Sequence, residues 1–167
     1  MTKVALLEAF KAYTEQLVKD VILPVSPQKN DKDEDPKCRA PEVHIGRLPD
    51  TASSTKKAPY ILHQIVNSKT VQEPGELPES VCVVRSVFCV FNKDAEKGTL
   101  SLIELMERMR LSILMDLWLD DQFELDRADG LEDLVYSNDT APYYMGEMLS
   151  VWKLPIVKRE VTKYWMK

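Results

Sequence analysis

Residues 81–91, VCVVRSVFCVF, are dense in β-branched and aromatic side chains. That composition reads as a β-strand. The run is far too short to span a bilayer and contains Arg85. Upstream, residues 59–66, PYILHQIV, give a second strand signal. Period-two alternation puts Tyr60, Leu62 and Val66 on one face and Ile61, His63 and Ile65 on the other. Between the two lies NSKTVQEPGELPES, residues 67–80, with Gly75 and two prolines. The pair is expected to form a hairpin with a long protruding connection, longer than a tight turn requires.

Working outward, Gly98 and Thr99 open a helix whose buried stripe is Leu102, Met106, Met109, Ile113 and Leu117. Leu105 and Leu114 widen that stripe, while Glu104, Glu107, Arg108 and Arg110 fall mostly outside it. The stretch from Asp116 to Asp133 then carries eight acids against the single Arg127. Residues 134–161, LVYSNDTAPYYMGEMLSVWKLPIVKREV, read as a closing hairpin with a basic extension, Asn138, Asp139 and Thr140 supplying turn chemistry. On the N-terminal side, Val43 and Ile45 alternate with His44 and Gly46 as a short strand. Before it, Leu6, Phe10, Tyr13, Leu17 and Val21 recur at three and four, with Thr2 as cap and Pro24 as stop. The order is helix, three strands, helix, two or three strands. We expect an α+β fold: an antiparallel or mixed sheet of four to six strands with two main helices packed on it.

The chain has 167 residues, 44% apolar and 29% charged, enough for one domain with a real core. We read residues 1–167 as that single domain, with polar loops near 24–42 and 67–80 and a basic extension near 153–167. The net charge of −5 argues against a chain built to coat phosphate backbones. Glu8 and Lys11 interrupt the N-terminal apolar residues, so no secretory leader is expected. Cys38, Cys82 and Cys89 include no CxxC pair. Cys82 and Cys89 would face opposite sides of one strand, so reduced thiols in a cytosolic setting are expected.

Candidate chemistry is sparse. Asp31, Asp33 and Asp35 with Glu42 have the spacing of a calcium loop, but Pro36 stands where its tight turn needs glycine. Cys38, His44 and His63 are too few and too scattered for a zinc site, and nothing around Cys38 would activate a thiolate. No arrangement of the five glycines makes a phosphate cradle. Asp120 and Asp121 are adjacent acids at a helix end, usually solvated. We therefore expect no catalysis, no metal and no cofactor.

Charge asymmetry is the stronger signal. Ser150 to Lys167 carries Lys153, Lys158, Arg159, Lys163 and Lys167 against Glu160 alone. The acidic block just upstream includes Asp120, Asp121, Glu124 and Asp126. Opposite patches let copies join head to tail, and such heterologous contacts close into rings when the rotation allows. Trp152, Tyr164 and Trp165 beside the basic residues suit a contact surface, although Trp152 suits a core equally. The plain alternative is two ordinary solvated faces. Lys153, Lys158, Arg159, Lys163, Asp120, Asp121 and Glu124 are the candidate interface residues.

This order of elements resembles the tail-terminator, or tail-completion, proteins of long-tailed bacteriophages and phage-tail-like particles. The likeness is carried by ALLEAFKAYTEQL (5–17), PYILHQIV, VCVVRSVFCVF, SLIELMERMRLSIL (101–114) and PYYMGEMLSVWKLPIVKREV (142–161). It covers most of the chain and rests on element order rather than an invariant motif. The resemblance implies an α/β subunit, helices on an antiparallel sheet, assembled as a hexameric ring that caps the tail tube, ends its polymerisation and offers the head-joining surface. It implies partners in further copies of the chain, the tail-tube protein and head–tail connector proteins, with DNA only as passing cargo and no membrane. It places the protein at the head-proximal end of the virion tail, assembled in the bacterial host cytoplasm. By that likeness the 67–80 loop and the basic extension meet neighbours, and the loop from Ser26 to Ala40 is a further docking candidate. A head–tail connector or neck protein is the alternative within the class. A small cytosolic enzyme using Cys38 or the acidic block, or a monomeric ligand-binding α+β domain, are the alternatives outside it.

Overall fold

The computed structural model describes residues 3–27, 37–49, 57–137 and 141–156. Helix α1 (Lys3–Val18) leads to β1 (Leu23–Pro24), β2 (Cys38–Arg39), β3 (Glu42–Ile45), β4 (Tyr60–Val71) and β5 (Glu79–Phe91). Helix α2 (Ala95–Asp116) follows, then β6 (Trp118–Leu119), β7 (Phe123–Leu125), β8 (Leu131–Val135) and β9 (Tyr143–Lys153). Strands β1 and β2 form a two-stranded ribbon. The other seven form one mixed sheet in the order β3-β4-β5-β9-β7-β6, with β8 also against β9. The fold is α+β.

Alternation along β4 and β5 decides the layers. Odd positions of β4 and even positions of β5 face the helices: Ile61, Val84, Phe88 and Val90 join Leu6, Phe10, Leu102, Met106, Met109 and Trp152 in the main core. The opposite parity builds a smaller cluster from Tyr60, Leu62, Val87, Cys89 and Phe91, closed by Ala58, Leu48, Tyr143 and Met145. Cys82 and Cys89 accordingly lie on opposite faces, both buried. The closing hairpin is β8 and β9, with Leu134 opposite Glu147; its turn residues Asn138 to Thr140 lie outside the described residues.

Several expectations need correction. The sheet has seven strands rather than four to six; of the two expected forms it is the mixed one, because β3 runs parallel to β4. Half of the connection expected at 67–80 is ladder: Asn67 to Val71 pair with Val83 to Glu79, leaving 72–78 as the link. A bulge between Ile65 and Asn67 shifts the register there, so β4 carries its pairing past the point where simple alternation stops. The polar stretch near 24–42 contains the end of β1, all of β2 and the start of β3. Trp118–Leu119 and Phe123–Leu125 turn part of the acidic block into a hairpin. Lys153 is the last residue of β9, so the segment beyond the sheet starts at Leu154.

Both helices are rotated slightly from the expected stripes. In α1, Leu6, Phe10, Thr14 and Val18 are buried, while Tyr13 and Leu17 flank the core and Val21 lies past the end. Thr2 is outside the described residues. Helix α2 begins a turn earlier than Gly98, because Asp94 caps it: its carboxylate accepts from the Lys97 N–H at 3.1 Å. Gly98 instead permits close packing, since a Cβ there would fall 2.1 Å from the Tyr144 ring. Leu114 is 39% exposed, and Leu117 ends the helix at φ 57°, its N–H donating to the Ile113 carbonyl. Asp94→Ala should lower stability by about 0.5–2 kcal/mol, measurable as a shift in the urea midpoint at unchanged slope.

Candidate functional site

Both helices cover one face of the sheet, so the opposite face is where the sequence leaves side chains for something else. That outer face can be read in bands, because register partners share a side. One band crosses five strands: Trp118 on β6, Glu124 on β7, Lys153 on β9, Val81 on β5 and Lys69 on β4. The next contains Val151 opposite Val83, which faces Asn67. A third runs Glu132, Leu149, Arg85 and Gln64, with Leu134 beside it opposite Glu147. Val81, Val83, Leu149 and Val151 are only half-buried. Trp118 is 49% exposed and Leu134 52%. The half of this face holding Phe91, Tyr60 and Leu62 is closed by Leu48 and Ala58; among the described residues no helix covers the valine half.

Charge within the face is ordered locally. The Arg85 guanidinium donates from Nε to Glu147 Oε2 at 2.6 Å, and the Tyr136 hydroxyl donates to the same oxygen at 2.7 Å. Burial, aided by that hydrogen bond, raises the Tyr136 hydroxyl pKa and keeps it a donor. This cluster fixes one border of the apolar area.

Of the candidate interface residues, Lys153 and Glu124 are brought together inside one chain, as direct cross-strand partners. They are neighbours on one surface, not members of separate patches. Asp120 and Asp121 form the β6–β7 turn. Both have φ 51°, and the Gln122 N–H donates to the Leu119 carbonyl at 3.1 Å, the geometry of a type I′ turn. The acid pair is there for its tolerance of the left-handed region, a signal that a run of acids conceals. Lys158, Arg159 and Lys163 lie outside the described residues, as do Asp31, Asp33 and Asp35 of the calcium spacing.

A second concavity lies on the helix side, between α1 and the β6–β7 turn. It has a volume of about 450 Å³ and is lined by Ala5, Glu8, Ala9, Ala12, Tyr13, Leu119 and Asp120. Tyr13 donates to Asp116 at 2.6 Å and lies 2.6 Å from the Ser112 hydroxyl, tying α1 to α2 beside the groove. Burial first, then the bond to Asp116, pushes the Tyr13 pKa up to about 12.

The residues weighed for chemistry are dispersed. His63 is fully buried between Thr14 Oγ1 at 3.0 Å and Ser86 Oγ at 2.8 Å, against the Phe10 ring. His44 sits on β3 with its Nε2 3.3 Å from Glu42, and Glu42 also meets Arg39. Cys38 is exposed on β2. Burial raises the Cys82 thiol and pushes Cys89 up to about 12, which keeps both protonated at neutral pH. Among the described residues no group of three His, Cys, Asp or Glu could hold a metal ion. No helix among them is long and apolar enough to cross a membrane. No family model matches the chain, and no curated protein matches it either.

Proposed function

We propose that this chain is a ring-forming virion subunit of the tail-terminator kind, which caps the tail tube, ends its polymerisation and presents the head-joining surface. The observation that carries the assembly part is the valine half of the outer sheet face. There Val81, Val83, Leu149 and Val151 form an apolar area; Glu124 and Lys153 separate it from the exposed Trp118, and the Arg85–Glu147 pair with the exposed Leu134 lies along its other edge. An apolar centre with a charged border is the composition of a contact surface. The terminator part is supported by the order of elements read from the sequence: helix, three strands, helix, two or three strands. The partners would be further copies in a hexameric ring, the tail-tube protein and the head–tail connectors, at the head-proximal end of the tail. The net charge of −5 suits a lumen through which DNA passes without being gripped.

The test is to mix purified protein with tail-tube subunits and follow mass by light scattering and tube length by electron microscopy. Rings and tubes of bounded length are expected. A chain that stays monomeric at every concentration and salt, and leaves tubes uncapped, would sink the proposal. Val83→Glu places a charge in the centre of the apolar area and should weaken association by about tenfold or more, roughly 1.4 kcal/mol. Its far-ultraviolet circular dichroism should remain that of the parent.

A further inference from the structure

The groove between α1 and the Asp120–Asp121 turn is not accounted for by the outer-face surface. Its floor is small and apolar, from the half-buried Ala5 and Ala9 over the core residue Leu119, and its rim is acidic, from the exposed Glu8 and Asp120. Neither carboxylate ion-pairs with a cation among the described residues. The groove is open to solvent, with a volume of about 450 Å³, room for part of a side chain-bearing segment laid across it. A fitting occupant therefore has bulky apolar side chains flanked by positive charge.

The chain contains a segment of that chemistry. Residues 157–167, VKREVTKYWMK, follow Ile156 and combine Lys158, Arg159, Lys163 and Lys167 with Val161, Tyr164 and Trp165, against the one acid Glu160. Residues 154–156 continue β9 past the end of its pairing with β7, where Glu124 meets Lys153 and the chain of β7 leads back to the Asp120 turn. Strand β9 thus ends toward the β6–β7 turn, whose Asp120 belongs to the acidic rim. Opposite charge on rim and segment steers encounter and fixes register, while the apolar contacts hold it.

We propose that this groove receives residues 157–167 of a second copy of the chain, aromatic side chains on Ala5 and Ala9 and cations against Glu8 and Asp120. The inference rests on the ring reading and names the partner for the head-to-tail contact. Repeated round a ring, each copy gives one segment and accepts one.

A charge exchange in full-length chains tests it. The groove variant carries Glu8→Lys, Ala12→Lys and Asp120→Asn; Glu8, Ala12 and Asp120 are exposed, and asparagine adopts the left-handed backbone of Asp120 well. The segment variant carries Lys158→Glu, Arg159→Glu and Lys163→Glu. By light scattering at low salt, each variant alone is expected to fall to monomer, and their equimolar mixture to regain the parent mass, since every groove then meets a segment of opposite charge. A mixture that stays monomeric while the parent assembles overturns the groove and leaves the ring reading standing. A single chain carrying both sets that assembles when the mixture does not assigns the groove to its own segment and overturns the second copy. A parent that never assembles, alone or with tube subunits, defeats the ring reading and this inference with it. Independently of any variant's folding, a synthetic peptide of residues 157–167 in hundredfold excess should dissociate parent assemblies. Intact assemblies under that excess would equally overturn the proposal.

Discussion

Trp152→Ala should destabilise the protein by about 3–5 kcal/mol, the range for removing a large aromatic from a packed core. Trp152 lies in β9 between Cys82 of β5 and Leu125 of β7 and is 1% exposed. Its ring meets Phe10 of α1 edge-on at a centroid distance of 5.1 Å, so one side chain joins the helix layer to three strands. Its indole N–H donates to Ser150 Oγ at 2.8 Å, and Ser150 is itself buried. Truncation therefore leaves a cavity and removes the donor from a buried hydroxyl, two costs that add. Against a total stability of about 5–15 kcal/mol for an ordinary domain, such a loss consumes a large share. Trp152→Phe keeps most of the volume and loses the hydrogen bond, so its cost should be nearer 1–2 kcal/mol. Urea unfolding of the three proteins measures both. A Trp152→Ala change within 1 kcal/mol of the parent would show that this residue is not the junction described.

Trp152 also shows where sequence reading stopped. Its position beside basic residues suited a contact surface as well as a core, and only the register with Cys82 and Leu125 decides for the core. The long strands β4, β5 and β9 were legible because alternation and β-branched density mark a pleated, half-buried chain. Helix α2 was legible from its stripe, but its start was not, because Gly98 drew attention from Asp94, whose capping role needs the Lys97 N–H to be seen. The β6–β7 hairpin was hidden for a different reason. Asp120 and Asp121 read as charge, whereas the backbone uses them for their tolerance of positive φ. Pairing between distant segments was the least visible: nothing local in EVHI announces a parallel partner in YILH. The same limit touches the candidate surface. Glu124 and Lys153 lie 29 positions apart and looked like opposite patches, yet the sheet makes them neighbours.

Acid should unfold this protein through His63, and the sign follows from its surroundings. The imidazole is 0% exposed, packed on Phe10 at 5.1 Å and hydrogen-bonded to Thr14 and Ser86, with no carboxylate among those partners. Two hydroxyls can serve a neutral ring, one donating and one accepting, but none supplies charge to offset a buried imidazolium. Desolvation therefore lowers its pKa from 6.5 to about 3 in the folded protein. The unfolded chain takes up the proton first, so the contribution of His63 is complete above pH 6.5. It falls by about 1.4 kcal/mol for each pH unit below that, until the folded protein protonates as well. Between pH 6.5 and 4.5 the loss from this one group is then roughly 2–3 kcal/mol. Carboxylates add their own slope in the same direction, so the measurement is a difference. Unfolding free energies of the parent and of His63→Met, taken from pH 7 to pH 4.5, should converge as pH falls. Methionine leaves Thr14 and Ser86 short of a partner, costing about 1–3 kcal/mol at pH 7, but it carries no proton. Parallel curves for the two proteins would mean that His63 is charged, or reached by water, in the folded state. Convergence would mean that the junction of α1 with β4 and β5 is held by a histidine that must stay neutral.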